Sequence, residues 1–292
     1  MTETSSERVS AVESRMAERA TRTRMPPIVY GTAWKKERTA GLVERALRTG
    51  FRGIDTACQP KHYDEPGVGE GVARVLGHGI ARGDLYLQTK FTSIDGQDPK
   101  RVPYDPSATL AVQVGQSVRA SLTNLRTEYL DCVVLHSPMD TMRETEIVWR
   151  TLEAFVDAGT VRAIGLSNCY EPKVFAAVFE NARVKPLVLQ NRFYAKTGYD
   201  RELRAFCRAN GVAYQSFWTL TANPQLLADA KVRGIAKQHG VTAEQVFFRA
   251  LTQIGIVPLT GTTSETHMRQ DLAIFAFELT KPELASLTKL FE

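Results

Sequence analysis

The sequence predicts an α/β protein of the (β/α)8 TIM-barrel class: one domain with a C-terminal helix and a polar N-terminal tail. Three observations carry this expectation. From Pro26 onward, short apolar segments alternate with amphipathic helical segments eight times. The middle segments, such as YLDCVVLH and PLVLQN, are apolar almost without interruption, as parallel strands covered by helices are. Eight such units in about 265 residues suit a closed barrel better than an open doubly wound sheet.

The elements follow in order. Residues 1–25 are polar; Val9, Val12 and Met16 have helical spacing, so the tail reads as a short surface helix or as disorder. Glu3, Glu7, Glu13 and Glu18 argue against a transit peptide. The barrel domain is assigned to 26–292. IVYG (28–31) is the first strand and 39–49 the first helix, stopped by Gly50. RGIDT is strand two and a helix runs from about Val68 to Leu76. DLYLQTK is strand three. A long polar loop follows, and Asp105-Pro106 has the look of an N-cap with proline at N1. It leads a helix striped by Leu110, Val114, Val118, Leu122 and Leu125. YLDCVVLH is strand four, 144–158 a helix, VRAIGLSN strand five, 171–182 a helix, and PLVLQN strand six. Residues 199–209 are helical and GVAYQSF is strand seven. Helices over 225–239 and 242–253 lead to IGIVPLTG as strand eight. Residues 264–274 form the last barrel helix, and 284–291 a terminal one started by Thr280 and Pro282.

The 43% hydrophobic and 24% charged content can bury a large core. Thirty-seven basic against 32 acidic side chains give +5, but the cations are scattered. That favours small anionic ligands over nucleic acid, which needs a clustered basic stripe. Cys58, Cys132, Cys169 and Cys207 show no CxxC and no metal-ligand spacing, so free thiols and no metal are expected. No apolar run approaches the roughly 18 residues of a membrane span. With no signal-peptide core either, the protein is expected in the cytoplasm.

Three strands end on ionisable groups: IDT on Asp55, LQTK on Lys90 and YLDCVVLH on His136. Tyr63 follows Asp55 after a short loop. Catalytic groups of barrels collect at these strand ends, and an acid, a phenol, an amine and an imidazole in one mouth suggest proton transfer. Each also has a bland reading: a strand-end aspartate paired with a lysine is often structural, a loop tyrosine is usually packing, and a histidine after an apolar strand is commonly a core residue. No GxGxxG follows the first strand, so the usual dinucleotide fingerprint is missing.

GFRGIDTA, Tyr63 with VGEG after it, LQTK, YLDCVVLHSP, AIGLSN and LVLQN, with a glycine-threonine turn after strand eight, resemble the aldo-keto reductase family in order and spacing. The resemblance implies a reductase of aldehydes or ketones using NADPH, with NADH as the alternative dinucleotide. It implies a catalytic set of Asp55, Tyr63, Lys90 and His136. Reduction puts negative charge on the carbonyl oxygen, so a proton donor is needed. A neighbouring Lys90 ammonium, held by Asp55, is expected to lower the Tyr63 phenol, and His136 to direct an N–H at the same oxygen. Roughly three extra residues separate Asp55 from Tyr63 relative to the family spacing, which would put Pro60 at the acid. Tyr63 is preferred, with His62 as local rival.

For the cofactor the resemblance implies Ser167, Asn168 and Gln190 at the nicotinamide carboxamide and Phe217 stacked on its ring. Trp218 stands where a serine is usual, Thr219 where a proline is usual, and Leu220 is retained. Where the family has Lys-Ser, four residues, then Arg on the 2′-phosphate, this chain has Gly261-Thr262, then His267. Gln270 and Asp271 fall where adenine is contacted, and Arg269 is a candidate substitute cation. NADPH remains the expectation, with a reduced margin that grows as His267 protonates. Trp34, Trp218 and the loop of Tyr104 are expected to wall a substrate pocket left open on the C-terminal side. The oligomeric state is not readable. A second reading is a cofactor-binding regulatory subunit with weak catalysis on the same barrel.

Overall fold

Val29 pairs with Leu259 and Tyr30 with Thr260, and these two register points close the sheet into a barrel. A computed structural model describes residues 25–292; the expectation for the preceding tail lies outside the described residues. The strands are β1 Val29–Gly31, β2 Gly53–Asp55, β3 Tyr86–Phe91, β4 Cys132–Leu135, β5 Ile164–Ser167, β6 Val188–Arg192, β7 Ala213–Phe217 and β8 Ile256–Thr260. All pair in parallel and in sequence order.

The helices are α1 Thr39–Thr49, α2 Glu65–Ala73, α3 Leu110–Asn124, α4 Met142–Asp157, α5 Pro172–Asn181, α6 Arg201–Asn210, α7 Pro224–Leu227, α8 Ala230–His239, α9 Ala243–Gln253, α10 Glu265–Ala273 and α11 Lys281–Thr288. Local chemistry sets their ends. Thr141 with Glu144, Thr242 with Gln245 and Thr280 with Glu283 form capping boxes that satisfy otherwise orphaned N–H groups. Gly50, at φ +127°, takes a conformation that side chains avoid and so stops α1.

The helix expected from about Val68 to Leu76 spans Glu65–Ala73, and the terminal one expected over 284–291 spans Lys281–Thr288, each starting three residues earlier, directly after its capping residue, Asp64 or Thr280. Two further expectations differ. Asp105 does not start α3: its Oδ1 accepts from the Ser107 N–H and hydroxyl, closing a turn, and the helix begins four residues after Pro106. The stretch expected as one helix over 225–239 divides at Asp229, whose side chain caps α8 through the Lys231 N–H.

The VGEG string is a packing device. A Cβ at Gly69 would lie 2.0 Å from the Asn124 carbonyl oxygen, and one at Gly71 2.5 Å from that of Ala40. Two glycines therefore let α2 lie against both α1 and α3, which fixes the loop carrying Tyr63.

The barrel interior is more polar than its strands suggest. Tyr86, Gln88 and Lys90 alternate along β3 onto one face, where they meet Asp55, Gln190 and Gln215 across the lumen. Tyr86, Cys132, Val134, Ala163, Leu187 and Val188 form an apolar cluster against which Met25 packs, and the Met25 sulfur accepts from Gln215 Nε2 at 3.4 Å.

Candidate active site

Strand β3 ends by presenting Lys90 inward, fully buried, and strand β2 presents Asp55 beside it. Lys90 Nζ donates to Asp55 Oδ2 at 2.6 Å and to the Thr56 carbonyl at 2.8 Å. Burial pushes the Lys90 ammonium down, with Asp55 opposing that shift. The other carboxylate oxygen, Oδ1, accepts from Gln88 Nε2 at 2.7 Å and Gln190 Nε2 at 3.0 Å. Both amides also donate to Gln215 Oε1 at 2.8 Å, and Tyr86 donates to Gln88 Oε1 at 2.7 Å. This amide cradle therefore fixes the Asp55 carboxylate beside Lys90.

Tyr63 lies above the pair. Lys90 Nζ sits 5.3 Å from the centre of its ring, and the ring meets His136 edge-on at 6.1 Å. Its loop is rigidly anchored. Asp64 caps α2 through the Gly67 N–H, and buried Glu65 accepts from Thr89, Ser121 and Asn124. One expectation is corrected here: the phenol is not lowered. Burial, and then the Asp55 charge, push it well above the usual tyrosine range. The ammonium cannot counter this because its charge is balanced by Asp55 and its hydrogen bonds go to Asp55 and Thr56.

His136 carries on from β4. Its Nδ1 lies 2.6 Å from the Thr92 hydroxyl, which leaves Nε2 for the mouth. Burial first, then Lys90 and His62, push the imidazole down to about 3, so the ring is neutral at any ordinary pH. His62 stacks on Trp34 with ring centres 3.9 Å apart, and its buried Nδ1 has no partner among the described residues. Tyr104 is buried behind this wall, packed on Phe91 and donating to the Thr92 carbonyl at 2.8 Å. Arg101 and Pro103 of the same loop line the adjacent cavity of about 640 Å³, together with Trp34, Lys61 and Tyr63.

The other side of the mouth is built by β5 to β7. Ser167 donates to the Gln190 carbonyl, and Asn168 Nδ2 to the His136 carbonyl at 2.8 Å. Asn168 and Trp218 both hold left-handed backbone, at φ +51° and +55°. For tryptophan this is a costly conformation, of the kind that gathers at functional sites. Phe217 is half-buried at the end of β7, Leu220 packs against the core, and Trp218 stands 50% exposed. Sequence reasoning missed Arg192, whose guanidinium lies 4.0 Å from the Trp218 ring centre. Its buried Nε has no partner among the described residues. Gln88 and Gln215 were missed as well; the signal was the strand period, which places them on the Asp55–Lys90 face.

At the β8–α10 turn, Tyr30 donates to the Thr262 carbonyl at 2.9 Å, and Thr262 Oγ1 accepts from the Ser264 N–H. His267 is exposed, its N–H capped by Ser264. Gln270 is half-buried and its carbonyl accepts from Gln245. Asp271 is buried, accepts from the Thr260 hydroxyl at 2.7 Å, and is pushed up to about 6 by that burial. Arg269 is paired with Glu265 at 2.6 Å. All four cysteines are free and buried. Among the described residues, no helix is long and apolar enough to cross a membrane.

Comparison with known proteins agrees with this geometry. The chain is 30% identical over 249 residues to a glyoxal reductase of Bacillus subtilis, covering 85% of this chain and 82% of that one. It is 26% identical over 269 residues to the methylglyoxal reductase DkgA of Yersinia pestis, covering 91% and 89%. The crystal structure of an aldo/keto reductase from Brucella melitensis superposes with a TM-score of 0.76 at 25% identity, covering 91% and 95%. A family model described as "Aldo/keto reductase family" matches residues 27–292, and the chain therefore belongs to the aldo-keto reductase family.

Proposed function

We propose that the protein reduces small aldehydes or ketones to alcohols, with NADPH as reductant and Tyr63 as proton donor. The observation that carries this reading is the buried Lys90–Asp55 pair directly beneath Tyr63 and His136. Such a pair is a poor stability device, because desolvation offsets most of its attraction. It is a good way to hold a charge under a reacting group.

The mouth fits a dinucleotide. Phe217 offers an aromatic face, Arg192 a buried Nε with no partner among the described residues, and Lys35 a buried ammonium beside the β8–α10 turn. When bound, the nicotinamide supplies the hydride. The remaining work falls to side chains of this chain. His136, neutral and with Nδ1 held by Thr92, presents Nε2–H to the carbonyl oxygen. Tyr63, kept fully protonated by its raised pKa, gives its proton to that oxygen as it becomes an alkoxide, a stronger base than phenolate. The phenolate that remains lies over the Lys90–Asp55 pair, which the amide cradle keeps in place.

Relatives named as glyoxal and methylglyoxal reductases suggest small, reactive dicarbonyls as first substrates. Following NADPH oxidation with glyoxal, methylglyoxal and a panel of simple aldehydes and ketones tests the reading; no turnover on any would overturn it. The raised Tyr63 favours a second reading, a dinucleotide-binding subunit with slow chemistry. In that case thermal stabilisation by NADPH would persist while turnover stays near background.

A further inference from the structure

Two glutamines cross between the loops that follow β2 and β3, one in each direction. Gln97, in the β3–α3 loop, donates through Nε2 to the Cys58 carbonyl of the β2–α2 loop at 3.0 Å. Gln59, in the β2–α2 loop, donates through Nε2 to the Gly96 carbonyl of the β3–α3 loop at 2.7 Å. Both side chains are buried, and the mechanism above uses neither.

We propose that Gln97 is a positioning residue for the reduction: it sets Thr92, which holds the His136 imidazole with its proton on Nε2, and it ties that ring to the loop carrying Tyr63. The proposal rests on the reductase reading above. Three observations support it.

A short path of hydrogen bonds joins Gln97 to the imidazole. The Nε2 that reaches Cys58 also donates to the Thr92 carbonyl at 3.2 Å, and the Tyr104 hydroxyl donates to that carbonyl at 2.8 Å. Two donors thus fix the backbone of Thr92, and its hydroxyl lies 2.6 Å from His136 Nδ1. The His136 backbone is held separately, its N–H by the Phe91 carbonyl and its carbonyl by the Asn168 amide. The contact with the Thr92 hydroxyl is the hydrogen bond that sets the ring.

The direction of that bond follows from what else the hydroxyl can reach. Burial keeps His136 neutral, so one ring nitrogen carries a proton and the other accepts. Thr92 is buried, and Nδ1 is the one partner of its hydroxyl among the described residues. A proton on Nδ1 would leave the hydroxyl no acceptor for its own, a costly state in a buried site. With the hydroxyl donating to Nδ1, the ring proton sits on Nε2, ready to bond a carbonyl oxygen.

The two loops close tightly round Tyr63 and Thr92. The Tyr63 and His62 N–H groups both donate to the Gln59 carbonyl at 3.1 Å, so the Gln59–Gly96 bond anchors the turn that ends at Tyr63. A Cβ at Gly96 would lie 2.6 Å from Thr92 Cγ2, so a glycine there lets the β3–α3 loop fold back onto Thr92.

Nitrogen NMR of the full chain carrying isotope-labelled histidine, with His136→Asn to assign the signal, reads the tautomer directly. Single-turnover reduction of methylglyoxal at saturating NADPH reads the chemical step. Wild-type His136 should show a protonated Nε2 and an Nδ1 that accepts a hydrogen bond. Gln97→Met should slow the chemical step by about tenfold and leave NADPH affinity within about twofold. It should also move the Nδ1 signal toward that of a nitrogen without a hydrogen bond. Thr92→Val should do the same, and Thr92→Ser should recover most of both losses. A wild-type His136 with its proton on Nδ1 would overturn the proposal. So would a Gln97→Met protein with the wild-type rate and signal, or one that loses NADPH affinity as much as rate. If Gln97→Met fails to fold, Gly96→Ala displaces Thr92 instead, and an unchanged rate and Nδ1 signal there would overturn the proposal. No turnover by the wild type would bring down the reductase reading, and this proposal with it; turnover with the proton on Nδ1 would overturn the proposal alone.

Discussion

Lys90 Nζ and Asp55 Oδ2 lie 2.6 Å apart inside the barrel, each almost wholly shielded from solvent. Removing one partner would strand the other as an uncompensated buried charge. Lys90→Met is therefore expected to destabilise the protein by about 3–5 kcal/mol. Asp55→Asn should do the same, and the double variant should lose clearly less than the sum. Urea unfolding of all three would show it, and strictly additive losses would mean the two charges are not coupled.

The amide cradle should matter for both stability and turnover. Gln88→Leu removes a donor to Asp55 and leaves the Tyr86 hydroxyl and the Gln215 amide short of a partner. Each buried group left unsatisfied costs about 1–3 kcal/mol. Gln88→Glu sets a second carboxylate against Asp55, so its kcat should fall further than that of Gln88→Leu, with KM for the carbonyl little changed. Wild-type kcat in Gln88→Glu would show that the Asp55 charge does not reach the reaction.

Asp271 should make the protein less stable as pH rises. Its native carboxyl is pushed up to about 6 by burial, whereas an unfolded aspartate titrates near about 4. Between these values the native state binds more protons, so stability falls with rising pH. Asp271→Asn keeps an acceptor for Thr260. It should be neutral near pH 4 and stabilising by on the order of 2 kcal/mol at pH 8. Tm against pH for both proteins measures this, and parallel curves would contradict it.

His136 acts in the opposite sense. Its native imidazole is pushed down to about 3, while an unfolded histidine takes its proton near about 6.5. Between those values the unfolded state binds the extra proton, so stability is lost as pH falls through that window. His136→Asn should flatten this acid limb by up to one proton, about 1.4 kcal/mol per pH unit. Equal acid slopes in urea unfolding from pH 6.5 to 4.5 would show that the wild-type imidazole charges in place.

Much of this architecture could be read from the chain. Eight apolar segments with helices between them place Asp55, Lys90 and His136 at strand ends, and the structure brings these together with Tyr63. What stayed hidden depends on contacts between distant residues. Gln88 and Gln215 sit in strands that read as apolar, and their polarity makes sense only when 127 positions of separation collapse to 2.8 Å. Lys35 meets Gly261 across 226 positions, through a loop bent at Trp34 and Lys36 that no local signal announced. Asp105-Pro106 had the residues of a helix start, but Ser107 offered a closer donor and the chain turned instead. The fall in the Tyr63 pKa expected from Lys90 failed for a similar reason: burial outweighs a charge already neutralised by its neighbour.

The central claim is that Tyr63 delivers the proton. Tyr63→Phe and His62→Ala, compared in single-turnover reduction of methylglyoxal at saturating NADPH, test it most directly. Tyr63→Phe should slow the chemical step by about 10² or more, with NADPH affinity unchanged, while His62→Ala keeps most of the wild-type rate. A near-normal rate in Tyr63→Phe together with a collapse in His62→Ala would contradict the account and move the proton to the imidazole stacked on Trp34.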